Sequence, residues 1–526
     1  MDTKALRQNI LDLVIRGNLV PQDPNDEPAE VLLERIRVQK QQMLKEGKLK
    51  KKDIKNDTII FKGEDNLHYE KFQDGTVKCI EDEIPFEVPE GWAWARVRDI
   101  AMVKGGKRLP KGASFSEEIT THAYIRVTDM KNHSVNISNL RYISDEIFSA
   151  IKNYTIAKDD LYVTIAGTIG VAGEIPDKLD GMNLTENAVK ITNIAINKSF
   201  LCIILQTDFV QQQFQDKTHQ VAMPKLALER ILSTLIPICP SVQQLQIVDR
   251  FQICDNFLST IDTEKEELQK IVSLSKSKIL DLAIRGKLVL QDPNDEPASV
   301  LLGRIRAEKE ELIKQGKIKR DKKESVIFKG DDNSYYLRTG GVEESLENWR
   351  FDDLPETWEI CCLGELCDYG DCINVNTEDI AEDAWILDLE DIEKDTGMVL
   401  KKVTKAQRNS VSTKHKFHFG QVLYSKLRPY LNKVVLSDAD GYCTSEILPL
   451  EFKNCVLPEY ARYYLMSSTF ITYANHCSYG VKMPRLGTTD GKKAIFSLPP
   501  LSEQKRIVET IDFCFMQLNK ISEALA

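Results

Sequence analysis

Residues 10–49 and 279–318 align without a gap and are about two-thirds identical. Each copy runs through I-R-G, then Q-D-P-N-D-E-P-A, then V-L-L and R-I-R. Whatever one copy builds, the other must build too, so the chain is a duplication before it is anything else. The Pro-rich D-P-N-D-E-P at 23–28 and 292–297 breaks one helix and turns the chain. Pro28 and Pro297 then stand near the start of a second helix, with Glu27 and Glu296 at its positive end. That helix runs through Val31, Leu32, Leu33 and Ile36 and ends near Gly47, or Gly316 in the other copy. A basic run follows each time: Lys45, Lys48, Lys50, Lys51, Lys52 and Lys55, then Lys314, Lys317, Lys319, Arg320, Lys322 and Lys323. Such a run is a solvated arm or a phosphate contact.

The repeat continues weakly. Phe61 to Asn66 answers Phe328 to Asn333, and Pro89-Glu90-Gly91-Trp92 answers Pro355-Glu356-Thr357-Trp358. The halves then diverge, and Val221-Ala222-Met223-Pro224-Lys225-Leu226 answers Val481-Lys482-Met483-Pro484-Arg485-Leu486. After the first copy of this last motif, apolar residues recur at steps of four and three: Ile247, Phe251, Cys254, Leu258, Ile261, Leu268, Val272, Ile279 and Leu282. Lys265 and Ser275 fill the two remaining slots, and no Pro or Gly falls between Val242 and Ile284. The spacing predicts a helix of roughly 60 Å that expects a partner helix. The C-terminal segment carries the same steps in Ile507, Ile511, Cys514, Leu518, Ile521 and Leu525, and the N-terminal one in Leu6, Ile10 and Leu13. Placed end to end, residues 501–526 and 1–20 read like 241–289, a second copy cut in the middle. This predicts that the termini meet and the chain closes as a pseudo-two-fold ring, which circular permutation would test.

At 526 residues the chain is too long for one core. The expected division is 1–20 and 501–526 as the two parts of a distal helical region, and 241–290 as a central one. Residues 21–84 and 291–350 are helical, basic arms, and 85–240 and 351–500 are globular domains. Runs at 161–165, 422–425 and 434–436 read as strands, and those at 200–213 and 458–474 as helices. The fold class is α+β: two mixed globular domains joined by a pair of long antiparallel helices, a coiled coil, with a circular internal repeat. No apolar run is long enough to span a membrane, and MDTKALRQNI lacks a signal-peptide layout, which predicts a cytoplasmic protein. The twelve cysteines then read as reduced thiols; Cys361, Cys362, Cys367 and Cys372 have no zinc spacing.

The net charge of −10 argues against nucleic acid, but its distribution argues for it. From Gly397 to Ser437 there is no Asp or Glu, while Lys401, Lys402, Lys405, Arg408, Lys414, Lys416, Lys426, Arg428 and Lys433 are interleaved with Phe417, Phe419, Tyr424 and Tyr430. In the first domain Arg96, Arg98, Lys104, Lys107, Arg108 and Lys111 surround Gly105-Gly106, with Asp99 the only acid. Lys107, Arg108, Lys401, Lys402, Lys405 and Lys433 are candidates for phosphates. Arg126, Thr168, Asn187, Ser425, Lys426, Arg428 and Tyr430 are candidates for base edges or the loops around them. Gly167 and Gly170 would let backbone approach a duplex. Lys104, Thr164, Lys225, Arg408, Asn432 and Arg485 complete the DNA-binding candidates.

The frame I-R-G-K-L-V at 284–289, the Pro89–Trp92 entry and the L-P-P-L-S-E-Q-K-R-I-V exit at 498–508 resemble the specificity subunit of type I restriction-modification systems. Residues 423–433 and 161–170 are similar to two forms of that family's target-recognition domain. The resemblance spans essentially the whole chain. It implies a subunit without catalysis that reads a bipartite, asymmetric site in double-stranded DNA. Two methyltransferase subunits would dock on the helical frame, each methylating an adenine, and motor-nuclease subunits would join to cut unmethylated DNA. The S-adenosylmethionine, ATP and Mg would belong to those partners, and this chain would bind no cofactor, metal or membrane of its own.

The residues agree on the lack of catalysis. There is no Asn/Asp-Pro-Pro-aromatic sequence and no G-x-x-x-x-G-K-[ST] loop. A loose nuclease-like pattern at Asp26 and Glu46-Gly47-Lys48 falls in the helical repeat, where the second copy has Gln315. His415 and His418 lack a carboxylate partner in sequence and read as phosphate-binding or structural. The alternative is a coiled-coil scaffold that binds only proteins, or a stand-alone DNA-binding protein, and a salt-dependent DNA shift separates the scaffold from the DNA readers.

Overall fold

The structure, a computed structural model, describes residues 2–215, 225–318, 325–332, 334–346, 354–408 and 410–525. Lys319, Arg320, Lys322 and Lys323 of the second basic run, and Val221 to Pro224 of the first V-A-M-P-K-L motif, lie outside the described residues. The chain divides into two compact units, Met1–Glu264 and Lys265–Ala526.

In the first unit, Asp2 caps the helix Thr3–Ile15 by accepting from the Ala5 amide. The chain leaves that helix through Gly17, at φ +70°. A Cβ on Gly17 would meet Pro89 at 2.5 Å, so the I-R-G of the repeat is fixed both by backbone conformation and by close packing. The second helix, Ala29–Lys45, has Pro28 as its N-cap, and Gly47 follows it at φ +72°. A three-stranded antiparallel hairpin sheet, Ile59–Lys62, His68–Lys71 and Val77–Cys79, completes the arm.

The globular domain is an insert whose first and last strands hold hands. Ala93–Arg96 pairs antiparallel with Leu235–Ile238. Between them lie two four-stranded sheets. One is ordered Ala172–Glu174, Leu161–Thr164, Ala188–Thr192, Met102–Gly105. The other is ordered Thr155–Ile156, Met182–Leu184, His122–Ile125, Arg141–Ile143. The expected helix at 200–213 is two, Lys198–Leu205 and Asp208–Gln215, with Thr207 bonding back to Ile204 between them.

The second unit has its own hairpin sheet, Ser325–Lys329, Tyr335–Thr339 and Val342–Ser345, and its own neck, Glu359–Cys362 against Ile495–Leu498. Its domain holds a five-stranded sheet and a three-stranded one centred on Val422–Ser425. The helical run at 458–474 is split into Pro458–Leu465 and Ser468–His476, because the Ser467 hydroxyl caps the second helix through the Phe470 amide.

The helix Ser241–Ala283 is unbroken, as its composition requires. In the first unit the N-terminal helix runs antiparallel to it: Thr3 donates to Asp262 and Arg7 to Asp255, each at 2.6 Å. Ile10, Leu11, Val14 and Ile15 share one core with Ile247, Val248 and Phe251. In the second unit the C-terminal helix Leu501–Leu525 does the same, with Lys276 donating to Asn519 at 2.6 Å and Ile507 and Ile511 buried beside Leu280 and Ile284.

The expected seam is correct at Ile247, Phe251, Leu258 and Val272, which are buried. Elsewhere it shifts. Leu268 is 43% exposed, and Leu6, Leu13 and Ile521 are exposed too, whereas Leu11, Val14, Leu280 and Ile284 are buried. The physical reason is that the globular domains cover both ends of the long helix, widening the apolar face beyond an a/d line. The exposed leucines and Ile521 belong to none of the buried clusters.

Candidate nucleic-acid interface

In the first domain three loops converge on the turn before strand Ala188–Thr192. Gly106 and Lys107 donate backbone bonds to Ala188 and Leu184, at 3.1 and 2.9 Å. Ile165 donates to the Asn187 carbonyl at 2.8 Å, and the Lys225 ammonium to the Glu186 carbonyl at 3.2 Å. A Cβ on Gly106 would fall 2.0 Å from the Thr185 carbonyl, so this close approach demands glycine. Glu186 is the organiser: its carboxylate takes Arg108 at 2.7 Å and the Tyr124 hydroxyl at 3.3 Å. The Arg108 guanidinium is held above its ordinary range by that hydrogen bond and charge. Lys104 is exposed, and Lys107 lies over the Tyr154 ring.

The second domain repeats the arrangement around Glu446. Lys426 donates its amide to the Glu446 carbonyl at 3.0 Å, and Arg485 grips the Glu446 carboxylate at 2.9 to 3.1 Å. The loop after strand Val422–Ser425 is closed by the Ser425 amide on the Lys433 carbonyl at 3.1 Å. Arg428 and Asn432, at φ +51° and +49°, bracket the short turn Pro429–Leu431. Two non-glycine residues in the left-handed region cost free energy that a scaffold must hold in place. The brace is the Asn432 side chain on the Met466 carbonyl and the Arg428 amide on Pro484. Arg428 carries a buried Nε without a partner, and Tyr430 stands exposed beside it.

Several candidates are already engaged by their own domain. The Arg408 guanidinium is enclosed by Asp388, Glu390 and Asp391, and Asp391 is fully buried. Arg126 clasps Asp129 and the Asn139 carbonyl. Lys402 bonds Asp438 over the Trp385 ring, Lys405 bonds the Ile380 carbonyl and Glu382, and Lys433 reaches the Leu389 carbonyl. Lys401 sits 3.8 Å from Asp391. Thr164 and Ser425 are buried and bond the Thr168 and Leu427 carbonyls. Gly167, with Thr168 beside it, is open to solvent, but a Cβ on Gly170 would meet the Gln211 amide, so Gly170 serves packing rather than approach to a duplex. Arg96 and Arg98 leave the basic cluster altogether: Arg96 is buried against Glu70 and Glu83, and Arg98 pairs with Glu229. His415 is buried on the Ile447 carbonyl, where burial pushes its pKa down. His418 meets Glu451.

Glu186 and Glu446 were not singled out from the sequence. The signal lay in T-E-N-A-V and S-E-I-L, an acid one or two residues ahead of a buried strand in both domains. Among the described residues no group of three or more His, Cys, Asp or Glu side chains could hold a metal, and no helix is long and apolar enough to cross a membrane.

Two domains of different sequence, each gathering cations on loops around a buried-strand turn, define a nucleic-acid reader. The family model described as type I restriction modification DNA specificity domain matches residues 89–271 and 355–524, and the chain belongs to that family. It is 27% identical to the type I restriction enzyme EcoAI specificity subunit of Escherichia coli, over 98% of this chain and 90% of that one. It is 28% identical to the EcoEI specificity subunit of the same species, over 69% and 61%. Among solved structures, the HsdS subunit from Thermoanaerobacter tengcongensis aligns at 17% identity and a TM-score of 0.41, over 84% of this chain and 93% of that one. The chain is a specificity subunit: it recognises DNA sequence and is not itself a catalyst, and proteins of this kind work with other subunits and with DNA.

Proposed function

We propose that this specificity subunit reads a bipartite, asymmetric site in double-stranded DNA, one half with residues 85–240 and the other with 351–500. The observation that carries the reading is the pair of Glu-centred loop clusters, alike in construction and set in domains of different sequence. Arg108 and Lys225 stand at one, Lys426, Arg428 and Arg485 at the other. The antiparallel helix pairs within each unit support a coiled-coil frame that fixes the unspecified spacer. On that frame two methyltransferase subunits bind S-adenosylmethionine and methylate one adenine in each half. Motor-nuclease subunits bring ATP and Mg. This chain supplies neither cofactor nor metal, only the address.

Methylation mapping in cells carrying the chain with its methyltransferase partner tests this. The expected result is a split motif with one modified adenine in each half, lost on deletion of the chain. A continuous motif, or none with the partner stably bound, overturns the bipartite reading.

A further inference from the structure

Between helices Ser468–His476 and Thr488–Lys493 the chain makes a narrow hairpin whose tip is left exposed among the described residues. Tyr479 and Arg485 exchange both backbone bonds, at 3.1 and 2.9 Å. Gly480 turns the chain at φ +98°, where a Cβ would sit 3.2 Å from the Met483 carbonyl. Two further rungs tie the hairpin to the basic loop: the Arg428 amide to Pro484 at 2.7 Å, and the Leu486 amide to Lys426 at 3.0 Å. The Arg485 guanidinium then clamps the base of the hairpin to Glu446 and, at 3.3 Å, to the Met483 carbonyl.

A hairpin braced this way does not collapse, yet its tip is bare and apolar. Val481 is 103% exposed, Tyr479 62% and Met483 48%. A single exposed apolar side chain needs no explanation, but three on one rigid turn do. The surroundings name the occupant. No Asp or Glu occurs between His476 and Thr489, Lys482 stands at the tip, and Lys426 and Arg428 flank its base. A polyanion with apolar faces satisfies both features. Duplex DNA offers phosphates for the cations, and thymine methyls and base steps for Val481 and Met483.

We propose that residues 479–485 form an apolar finger that enters a groove of the DNA half-site taken by the second recognition domain. The inference rests on the DNA reading above and adds an element to it.

The test uses the full chain bound to its methyltransferase partner and a labelled duplex of about 40 base pairs carrying the mapped motif. Binding is followed by anisotropy at several salt concentrations. Val481→Ala should weaken binding about 5-fold and Val481→Glu about 100-fold, the scale of losing or opposing one groove contact. The salt slope of Val481→Ala should match wild type, because no phosphate contact is lost. Val342→Glu, at another exposed valine, on the hairpin sheet of the arm, should bind within about 2-fold of wild type by the same accounting. Wild-type affinity in both Val481 variants overturns the finger alone. Loss of the methyltransferase from purified Val481→Glu, with DNA binding intact, overturns it in favour of a protein occupant. A wild-type complex that does not prefer the motif duplex over a scrambled one overturns the DNA reading, and the finger with it.

Discussion

At the scale of single residues, the basic cluster of the first domain divides into side chains that face solvent and side chains that hold the neck. Asp99, the only acid in that cluster, belongs to the second group. Its carboxylate accepts the amides of Thr58 at 2.7 Å and Arg96 at 2.9 Å, which ties the arm to the neck of the domain. Burial pushes its pKa up to about 6, against hydrogen bonds that pull the other way. The folded state therefore binds this proton more tightly than the unfolded chain. The charged carboxylate costs stability in full above about pH 6, and that cost is relieved as pH falls through 6 toward 4. Comparing wild type with Asp99→Asn by urea unfolding at pH 7 and pH 5 isolates the effect. The stability difference between the two should move in favour of wild type by about 1 kcal/mol at pH 5. A difference that does not change with pH would show that the carboxyl titrates normally.

At the scale of elements, the L-S-E-Q stretch of the exit motif explains how an inserted domain is welded to its helix. Gln504 lies in the first turn of the C-terminal helix, fully buried. Its side chain accepts the Leu457 amide at 2.8 Å and donates to the Cys455 and Pro499 carbonyls at 2.9 and 3.0 Å. Gln244 does the same work in the first unit, taking the Asn197 amide and giving to the Cys239 carbonyl, both at 2.9 Å. The residue before it seals the entry motif: Gln243 accepts from the Trp92 indole at 2.7 Å, and Glu503 from that of Trp358 at 2.9 Å. Gln504→Leu keeps the volume and strands buried backbone groups, so it should cost about 2–4 kcal/mol, read as a lower urea midpoint with an unchanged slope. A loss under about 0.5 kcal/mol would mean the freed groups find other partners. These elements were legible because repeats and punctuation state them directly: Pro28, Gly47 and the unbroken run from Val242 to Ile284 mark the helix ends in the sequence itself. What was not legible is where one charge meets another. Arg408 reads in sequence as part of an acid-free stretch, yet the fold brings Asp388 and Asp391 to it from the preceding loop. Leu280 and Ile284 were hidden for a similar reason, since a heptad count knows the partner helix and not the domain that covers the helix end.

At the scale of the whole molecule, the chain carries a net charge of −10 and still recognises a polyanion, so its affinity must come from local fields. Among the cations at the two Glu-centred loop clusters and the hairpin beside the second, Lys104, Lys107, Lys111, Lys426, Arg428 and Lys482 are without a carboxylate partner among the described residues. If the five lysines make the phosphate contacts, log Kobs should fall with log salt at a slope of roughly −4.5, about 0.9 per contact. Raising monovalent salt from about 50 to 200 mM would then weaken binding about 10³-fold. The single variants should divide in kind. Lys104→Ala should lower the slope by about one and weaken every duplex alike, which is the mark of a phosphate contact. Arg428→Ala, with its unpartnered Nε beside the left-handed turn, should instead cost about 1–3 kcal/mol on the motif duplex and relax base preference in one half-site only. A uniform loss from Arg428→Ala would move it to the phosphates. A slope near zero for wild type would mean that the acid excess screens the loops, and that recognition by this subunit depends on the field of its partners.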